Sequence, residues 1–258
     1  MAESLARTIP ASAGAKRAST VAPLLPLVLD RVCYAPHGKP VLHGINLELT
    51  HGLRTVILGP NGAGKSLLLR LCHGLIEPTK GRISWAGKSA AAAAHRQGMV
   101  FQRPVLLRRK VADNIAHVLA AKGIRRKHRD ALVRASLEQA GLTHLADRPA
   151  RTLSGGEQQR LTIARACVCD PDVLLLDEPS ASLDPAAARA VEELVVRIHA
   201  SGTRIIMTTH DIAQARRLAE EVIFLHHGRL LEHSPAEEFF RAPRDPAAAR
   251  FIRGELID

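Results

Sequence analysis

The sequence has 258 residues, of which 46% are apolar and 24% charged, a composition that supports a folded core and excludes an intrinsically disordered chain. No apolar run approaches the roughly 20 residues needed to cross a bilayer, so we expect no membrane span. The net charge of +11 suits either nucleic acid or an anionic membrane surface. With one Trp and one Tyr available for base stacking, we expect no nucleic-acid partner.

The first elements in chain order are an extension and a pair of strands. Residues 1–26 mix Ala, Ser, Pro and a few basic residues, and they are predicted to form a flexible N-terminal extension. A transit peptide is the alternative, but Glu3 and the lack of helical amphipathicity argue against it. Residues 27–33 and 45–49 then read as two short strands joined by a turn.

From residue 54 onward, strand-like and helix-like segments alternate. Such alternation predicts a largely parallel sheet covered by helices. Strands are expected at 54–58, 99–101, 173–177 and 204–209, and helices at 65–73 and 186–199. The alanine run 90–94 is predicted to be a connector.

The segment between residues 102 and 153 differs, because it contains no buried strand pattern. Helices are expected near 111–121 and 128–140, the second of them ended by Gly141. We therefore predict an all-helical subdomain, at about 103–153, inserted into the α/β core.

The clearest chemical motif is a glycine-rich loop that matches GxxxxGK[ST] between a predicted strand and a predicted helix. Its glycines allow successive backbone N–H groups to face a polyphosphate, and the helix N-terminus adds partial positive charge. In such a loop Lys65 would reach the β- and γ-phosphates and the Ser66 hydroxyl would bind Mg²⁺. A chance glycine-rich turn is the alternative, and the flanking elements argue against it. The predicted ATP-binding residues are Gly59, Pro60, Asn61, Gly62, Ala63, Gly64, Lys65 and Ser66.

A second motif consists of two carboxylates at the end of the apolar strand 173–177. Open α/β sheets bind ligands at the carboxyl ends of their strands, so Asp177 is expected to help hold Mg²⁺. Glu178 is placed to accept a proton from the attacking water or to orient it. Acidic residues commonly end strands at turns, and only the nearby phosphate loop makes this pair informative.

Residues 153–160 read Leu-Ser-Gly-Gly-Glu-Gln-Gln-Arg at the start of another predicted helix. Ser154, Gly155 and Gly156 would form a second phosphate site at a helix N-terminus. A plain helix cap is the alternative, with Ser154 and Glu157 as a capping box. Both descriptions can hold together, but the cap does not explain the double glycine.

This last motif resembles the signature of the ATP-binding cassette (ABC) ATPase family, and it lies where that family has it, before the Asp-Glu strand. The resemblance covers roughly residues 27–235. It implies an α/β fold, a P-loop NTPase core with a mostly parallel sheet, an antiparallel β subdomain and the inserted α-helical subdomain, with residues 27–258 as the ATPase domain.

The resemblance also implies roles for residues outside these motifs. Tyr34, the only tyrosine, matches the aromatic residue that stacks on adenine, although strand packing is its alternative role. Gln102 matches the glutamine that senses Mg²⁺ and water, and His210 the histidine that contacts the γ-phosphate. Residues 182–184 match a loop that crosses a dimer interface. The implied catalytic residues are Lys65, Gln102, Glu178 and His210, and the implied Mg²⁺ ligands are Ser66, Gln102 and Asp177.

In this family two cassettes face each other head to tail, so the resemblance implies a homodimer that encloses two ATP molecules. Ser154 would then serve the ATP bound by the partner's Lys65. The expected partners are transmembrane permease subunits and a solute-binding protein, and the expected location is cytoplasmic, at the inner face of the cell membrane. Four scattered cysteines suit a reducing compartment.

Among ABC proteins, the single cassette without a fused membrane span favours a prokaryotic importer. Residues 101–109 resemble importers of oxyanions, tungstate in particular. One alternative is an exporter or cell-division type of cassette. The other is a non-transport ABC protein that acts on ribosomes or DNA, but such proteins carry a second cassette, long coiled coils or zinc modules that this sequence lacks.

Overall fold

The computed structural model describes residues 24–50 and 52–257. Most of the extension predicted over residues 1–26 therefore lies outside the described residues. Of its last three residues, Leu24 is buried beside the first strand, so the packed part of the chain begins before residue 27.

A four-stranded antiparallel sheet confirms the predicted β subdomain. Its strands are β1 (Leu27–Tyr34), β2 (Leu42–Leu49), β4 (Lys80–Trp85) and β5 (Lys88–Ser89), in the order β2-β1-β4-β5. Burial alternates along much of β2, as expected for a strand with one face against the core. The sequence analysis did not predict β4 and β5.

The main sheet has six strands in the order β10-β9-β3-β8-β7-β6. They are β3 (Thr55–Leu58), β6 (Gln97–Val100), β7 (Val173–Asp177), β8 (Arg204–Thr209), β9 (Glu221–His226) and β10 (Arg229–Pro235). All neighbours pair in parallel except β10, which runs antiparallel to β9. Every residue of β3, β7 and β8 is buried, which explains their continuous apolar runs.

The helices pack on the main sheet, on the small sheet or on each other. They are α1 (Lys65–His73), α2 (Ala90–Ala93), α3 (Val111–Ala121), α4 (Arg126–Gln139), α5 (Gly155–Cys167), α6 (Pro185–Ala200), α7 (Ile212–Leu218), α8 (Ala236–Arg241) and α9 (Pro246–Ile252). The prediction of a connector at residues 90–94 was wrong, because Ser89 caps a short helix there by accepting a hydrogen bond from the Ala92 N–H. Within the described chain, no helix is long and apolar enough to cross a bilayer.

Two apolar cores lie on opposite faces of the main sheet. Alternate residues of β3 show the division, since Val56 and Leu58 belong to one core and Ile57 to the other. The first core includes the buried faces of α3 to α6, and the second lies between the main sheet, α1 and the small sheet. Because β3, β8, β7 and β6 are neighbours and run parallel, their carboxyl ends lie at one edge of the sheet, where the loops that follow them meet.

The opposite edge of the main sheet, where β3, β8 and β9 begin, holds a buried charge network. Glu221 Oε1 accepts hydrogen bonds from Thr55 Oγ1 at 2.5 Å and from Arg204 Nη2 at 2.7 Å, and its Oε2 lies 3.0 Å from His233 Nε2. Burial alone would raise the pKa of Glu221, but the hydrogen bonds from these three residues lower it to about 2. Burial lowers the pKa of Arg204 despite this contact.

Candidate nucleotide-binding site

A cavity of about 450 Å³ lies at the carboxyl edge of β3, β6, β7 and β8. It is lined by Val41, Asn61, Gly62, Ala63, Gly64, Lys65, Ser66, Leu67, Gln102, Glu178, Ala181 and His210. The structure thus brings together the glycine-rich loop, the loop glutamine, the strand-end glutamate and the strand-end histidine, which are far apart in the sequence. A volume of this size lies in the range of small-molecule binding sites.

The glycine-rich loop connects β3 to α1 and needs glycine for two different reasons. At Gly59 a Cβ atom would lie 2.0 Å from the carbonyl oxygen of Leu225, so no side chain fits there. Gly64 has a φ of +97°, in the left-handed region that glycine adopts without strain, and it precedes the first residue of α1. The loop therefore brings its backbone close to β9 and delivers Lys65 at the helix N-terminus, where an anion is favoured.

Lys65 is 4% exposed, and its ammonium group has three partners within the site. Nζ donates to the carbonyl oxygens of Gly59 at 2.8 Å and Pro60 at 3.0 Å, and it forms an ion pair with Glu178 Oε1 at 3.2 Å. Burial lowers the pKa of Lys65, and the charge of Glu178 opposes this shift. Because an ammonium group has three donors, a phosphate that binds Lys65 must replace at least one of these contacts.

A cluster of side-chain oxygens surrounds Asp177, which is 2% exposed at the end of β7. Asp177 Oδ1 accepts hydrogen bonds from Ser66 Oγ at 2.7 Å and from Thr208 Oγ1 at 2.9 Å. Ser66 and Asp177 are thus in direct contact, and hard oxygen donors are the ligands that Mg²⁺ prefers. Thr208 was missed, although a pair of threonines ending the apolar strand β8 beside β7 is a signal that could have identified it.

Glu178 lies at the centre of the site and has an unusual backbone. Its φ is +43°, a left-handed conformation that is strained for a residue other than glycine. Its N–H donates to Thr208 Oγ1 at 3.0 Å, and its carboxylate lies between Lys65 and His210, with Oε2 2.9 Å from His210 Nδ1. A buried carboxylate held between two basic groups at a cavity wall is suited to proton transfer.

Gln102 and His210 lie at the more open side of the cavity. Gln102 follows β6 and is exposed, and His210 follows β8 with its side chain 42% exposed. Both residues therefore line the same cavity as Lys65 and Glu178.

Tyr34 is not among the residues that line this cavity. It ends β1, is partly buried against the second core, and pairs with Leu42 of β2. Its carbonyl oxygen accepts a hydrogen bond from the N–H of Val41, which does line the cavity. Tyr34 is thus connected to the cavity lining through the backbone of Val41, and strand packing accounts for its observed contacts.

The signature residues Ser154, Gly155 and Gly156 also lie outside the cavity lining. They begin α5, where Ser154 and Glu157 form the capping box considered above. Hydrogen bonds from the backbone N–H and hydroxyl of Ser154 lower the pKa of Glu157. A Cβ atom on Gly156 would lie 2.6 Å from Cβ of Ala187 in α6, so this glycine is required for close helix packing.

The chain is similar to known proteins over most of its length. The model of the ABC transporter family matches residues 42–181. The phosphate import ATP-binding protein PstB 2 of Natronomonas pharaonis is 37% identical over 90% of this chain and 87% of its own length. The probable amino-acid import ATP-binding protein YxeO of Bacillus subtilis is 39% identical over 83% of this chain and 90% of its own. Among solved structures, cbiO1 from Clostridium perfringens, part of the ABC transporter complex cbiONQ, is 30% identical with a TM-score of 0.77, covering 84% of this chain and 90% of that one.

Proposed function

The chain belongs to the ABC transporter family and is one of its ATPases, and we propose that it powers solute import through separate membrane subunits. The proposal depends on ATP hydrolysis, and the observation that carries it is the convergence of Lys65, Glu178 and His210 on one cavity. The import ATP-binding proteins of Natronomonas and Bacillus, similar over most of their length, support the direction of transport.

In the proposed reaction each residue acts on the β- and γ-phosphates of ATP or on the water that attacks the γ-phosphate. Lys65 and the N–H groups of its loop bind the β- and γ-phosphates, and His210 contacts the γ-phosphate. Glu178 accepts a proton from the attacking water, and Gln102 orients that water. Ser66, Asp177 and Gln102 would hold Mg²⁺, which neutralises charge on the β- and γ-phosphate oxygens when bound.

We further propose that the active form is a homodimer in which the signature of one chain completes the site of the other. The support is that Ser154 and Gly155 begin a helix, a suitable place for a phosphate, while the cavity of their own chain is lined by other residues. A two-fold arrangement gives each of two ATP molecules one Lys65 and one partner Ser154.

Mixing two inactive variants tests this arrangement. Lys65→Ala removes the phosphate lysine, and Gly155→Asp places bulk and negative charge at the signature. Random mixing should restore about a quarter of the wild-type rate, because half of the dimers are mixed and each has one intact site of two. A mixture as inactive as either parent, with heterodimers demonstrated by mass, would contradict a site shared between chains.

The membrane partners are proposed to bind beside Gln102. Phe101 and Val105 are 37% and 64% exposed, and Arg103, Arg108 and Arg109, which are also exposed, lie in the same segment of the chain. Exposed apolar side chains within a basic segment suit a protein surface at the inner face of a membrane. This placement makes the chain a peripheral cytoplasmic subunit, and a solute-binding protein would complete the system.

For the cargo we propose an oxyanion, a class that includes phosphate and tungstate. The support is the phosphate import named for the Natronomonas relative and the resemblance of residues 101–109 to oxyanion importers.

The test uses the chain co-purified with the membrane subunits and the solute-binding protein encoded beside it, in liposomes. Phosphate or tungstate should stimulate ATP hydrolysis. Stimulation by amino acids alone would assign the cargo to the class named for the Bacillus relative, and failure to co-purify with any membrane subunit would refute the transport role.

A further inference from the structure

A buried polar network is hydrogen-bonded to the loop that follows Glu178. Gln214, on α7, is 3% exposed, and its Nε2 donates to Ser180 Oγ at 2.5 Å and to Glu192 Oε1 at 3.1 Å. Glu192, on α6, is 6% exposed and accepts two hydrogen bonds from Arg217, at 2.8 Å from Nε and 2.7 Å from Nη2. The network therefore connects the loop that follows Glu178 to two helices.

The chemistry of these groups fixes the orientation of the Gln214 amide. Burial would raise the pKa of Glu192, but the hydrogen bonds from Arg217 and Gln214 outweigh burial and lower it. Glu192 is therefore ionised at neutral pH and can only accept, so the amide must present its NH₂ group to it. The two N–H bonds of that group are then both used, one on Glu192 and one on Ser180.

The loop that follows β7 needs such a restraint. Glu178 has a φ of +43°, and a strained backbone of this kind persists only where its surroundings hold it from several directions. Thr208 Oγ1 holds the N–H of Glu178 at 3.0 Å. On the other side, Ser180 lies two residues later, and the hydrogen bond of its hydroxyl with Gln214 restrains the chain after Glu178.

The same glutamine is connected to His210. Asp211 follows His210 directly and caps α7 by accepting hydrogen bonds from the N–H groups of Ala213 at 2.8 Å and Gln214 at 3.1 Å. Gln214 is therefore in the first turn of the helix that begins where the His210 loop ends. Its side chain joins this loop to the Glu178 loop, across the 2.9 Å contact between His210 and Glu178.

We propose that Gln214 is a positioning residue for ATP hydrolysis, which holds the Glu178 carboxylate and the His210 ring at their places beside Lys65 through its contacts with Ser180 and Glu192. This inference rests on the roles proposed above for Glu178 and His210. Gln214 lies outside the cavity lining, and it acts on the reaction only through the residues that it holds.

The first test removes the hydrogen bonds but keeps the length of the side chain. In Gln214→Met, kcat should fall by about tenfold or more while KM for ATP changes by less than about threefold, because the phosphate loop is untouched and a small displacement of a catalytic group is costly. Ser180→Ala should lower kcat in the same way, and the double variant should be no slower than the slower single one. The control is Arg216→Met, an exposed position on the same helix, which should keep wild-type kcat.

The second test exchanges the amide and the carboxylate. Gln214→Glu alone puts two carboxylates in contact and should lower kcat, whereas adding Glu192→Gln restores one amide and one carboxylate beside Arg217. The exchanged pair should recover to within about threefold of the wild-type kcat. If Gln214 only stabilises the fold, kcat should fall in parallel with the melting temperature across all of these variants. A fall in kcat at constant KM, without such a parallel, would then not be seen.

The outcomes separate this inference from the proposed function. If Glu178→Gln hydrolyses ATP at the wild-type rate, the proposed catalytic role is wrong. If Glu178→Gln stalls but Gln214→Met keeps kcat within about twofold of wild type, only the positioning role is wrong. Should Gln214→Met fail to fold, Ser180→Ala and the exchanged pair decide, and wild-type kcat in Ser180→Ala overturns the inference.

Discussion

Replacing Gly156 with alanine should destabilise the protein through one contact between two helices. A Cβ atom there would lie 2.6 Å from Cβ of Ala187 and 3.5 Å from its Cα. Since carbon atoms pack at about 3.5–4.0 Å, the first contact is about 1 Å too short. Ala187 has no flexible side chain that could turn away, so α5 and α6 must separate.

The expected magnitude follows from two opposing effects. Overpacking of a core typically costs about 1–3 kcal/mol, and the better helix propensity of alanine over glycine returns up to about 1 kcal/mol. We therefore expect Gly156→Ala to lower the free energy of unfolding by about 1–2 kcal/mol, measured by urea denaturation of the purified chain. Gly155→Ala is the matched control, because its Cβ would meet only the end of the Leu183 side chain, at 3.4 Å.

A second substitution makes the test specific to the contact. In an Ala187→Gly background the clashing methyl group is absent, so Gly156→Ala should cost nothing there and could stabilise the helix. The double-mutant cycle should give a coupling energy of about 1–3 kcal/mol, because the gain in helix propensity is the same in both backgrounds and cancels. If Gly156→Ala leaves the free energy of unfolding unchanged, the close packing of α5 against α6 does not explain this glycine, and phosphate binding alone must explain it.

Three further predictions concern the site and the charge network. Lys65→Ala should lower ATP hydrolysis by orders of magnitude, because the cation that binds the β- and γ-phosphates is lost; near-normal turnover would refute the assignment of the loop. Glu178→Gln should keep ATP affinity but stall hydrolysis, so size-exclusion chromatography with Mg-ATP should show a species of twice the 27.9 kDa monomer mass, and wild-type turnover would move the catalytic role elsewhere. Because the pKa of Glu221 is about 2 instead of 4.5, its ionised form contributes up to about 3 kcal/mol that is present above pH 4.5 and lost as the pH falls towards 2. Urea denaturation between pH 5 and 2 should show this loss, and Glu221→Gln should flatten it.

The parts of the fold that the sequence predicted are those with local signals. The glycine-rich loop carries its own geometry, and β7 and α1 begin and end at the predicted residues because a buried apolar run and a helix start are visible in a few residues. β4 was missed because its first three residues are exposed, so that only Ile83 and Trp85 show the apolar alternation of a strand. The alanine run looked featureless, and only the cap from Ser89 shows that a helix begins there.

The residues of the site that were missed act through contacts distant in the sequence. Thr208 is separated from Asp177 by 31 residues, and Gln214 from Ser180 by 34. The pair of threonines that ends β8 indicates a polar strand end, but the sequence does not show that Asp177 is its partner, which depends on the pairing of β7 with β8. The partner of Gln214 likewise depends on how α7 lies beside the loop that follows β7. The signature is a different case, because its sequence was recognised correctly, but the contact of Gly156 with Ala187 required the packing of α5 on α6.

The contacts of Lys65 connect binding of the nucleotide to the contacts that the Glu178 carboxylate makes. The three donors of the lysine are taken by Gly59, Pro60 and Glu178, so a γ-phosphate that binds Nζ competes with the carboxylate for the same cation. Displaced from the lysine, Glu178 would keep its contact with His210 and lose its contact with the Lys65 ammonium group. The carboxylate proposed to accept a proton from water is thus released from Lys65 only when a phosphate has bound there. The strained backbone of Glu178, held by Thr208 and by the contact of Ser180 with Gln214, would keep the carboxylate at the cavity wall while this exchange of partners occurs.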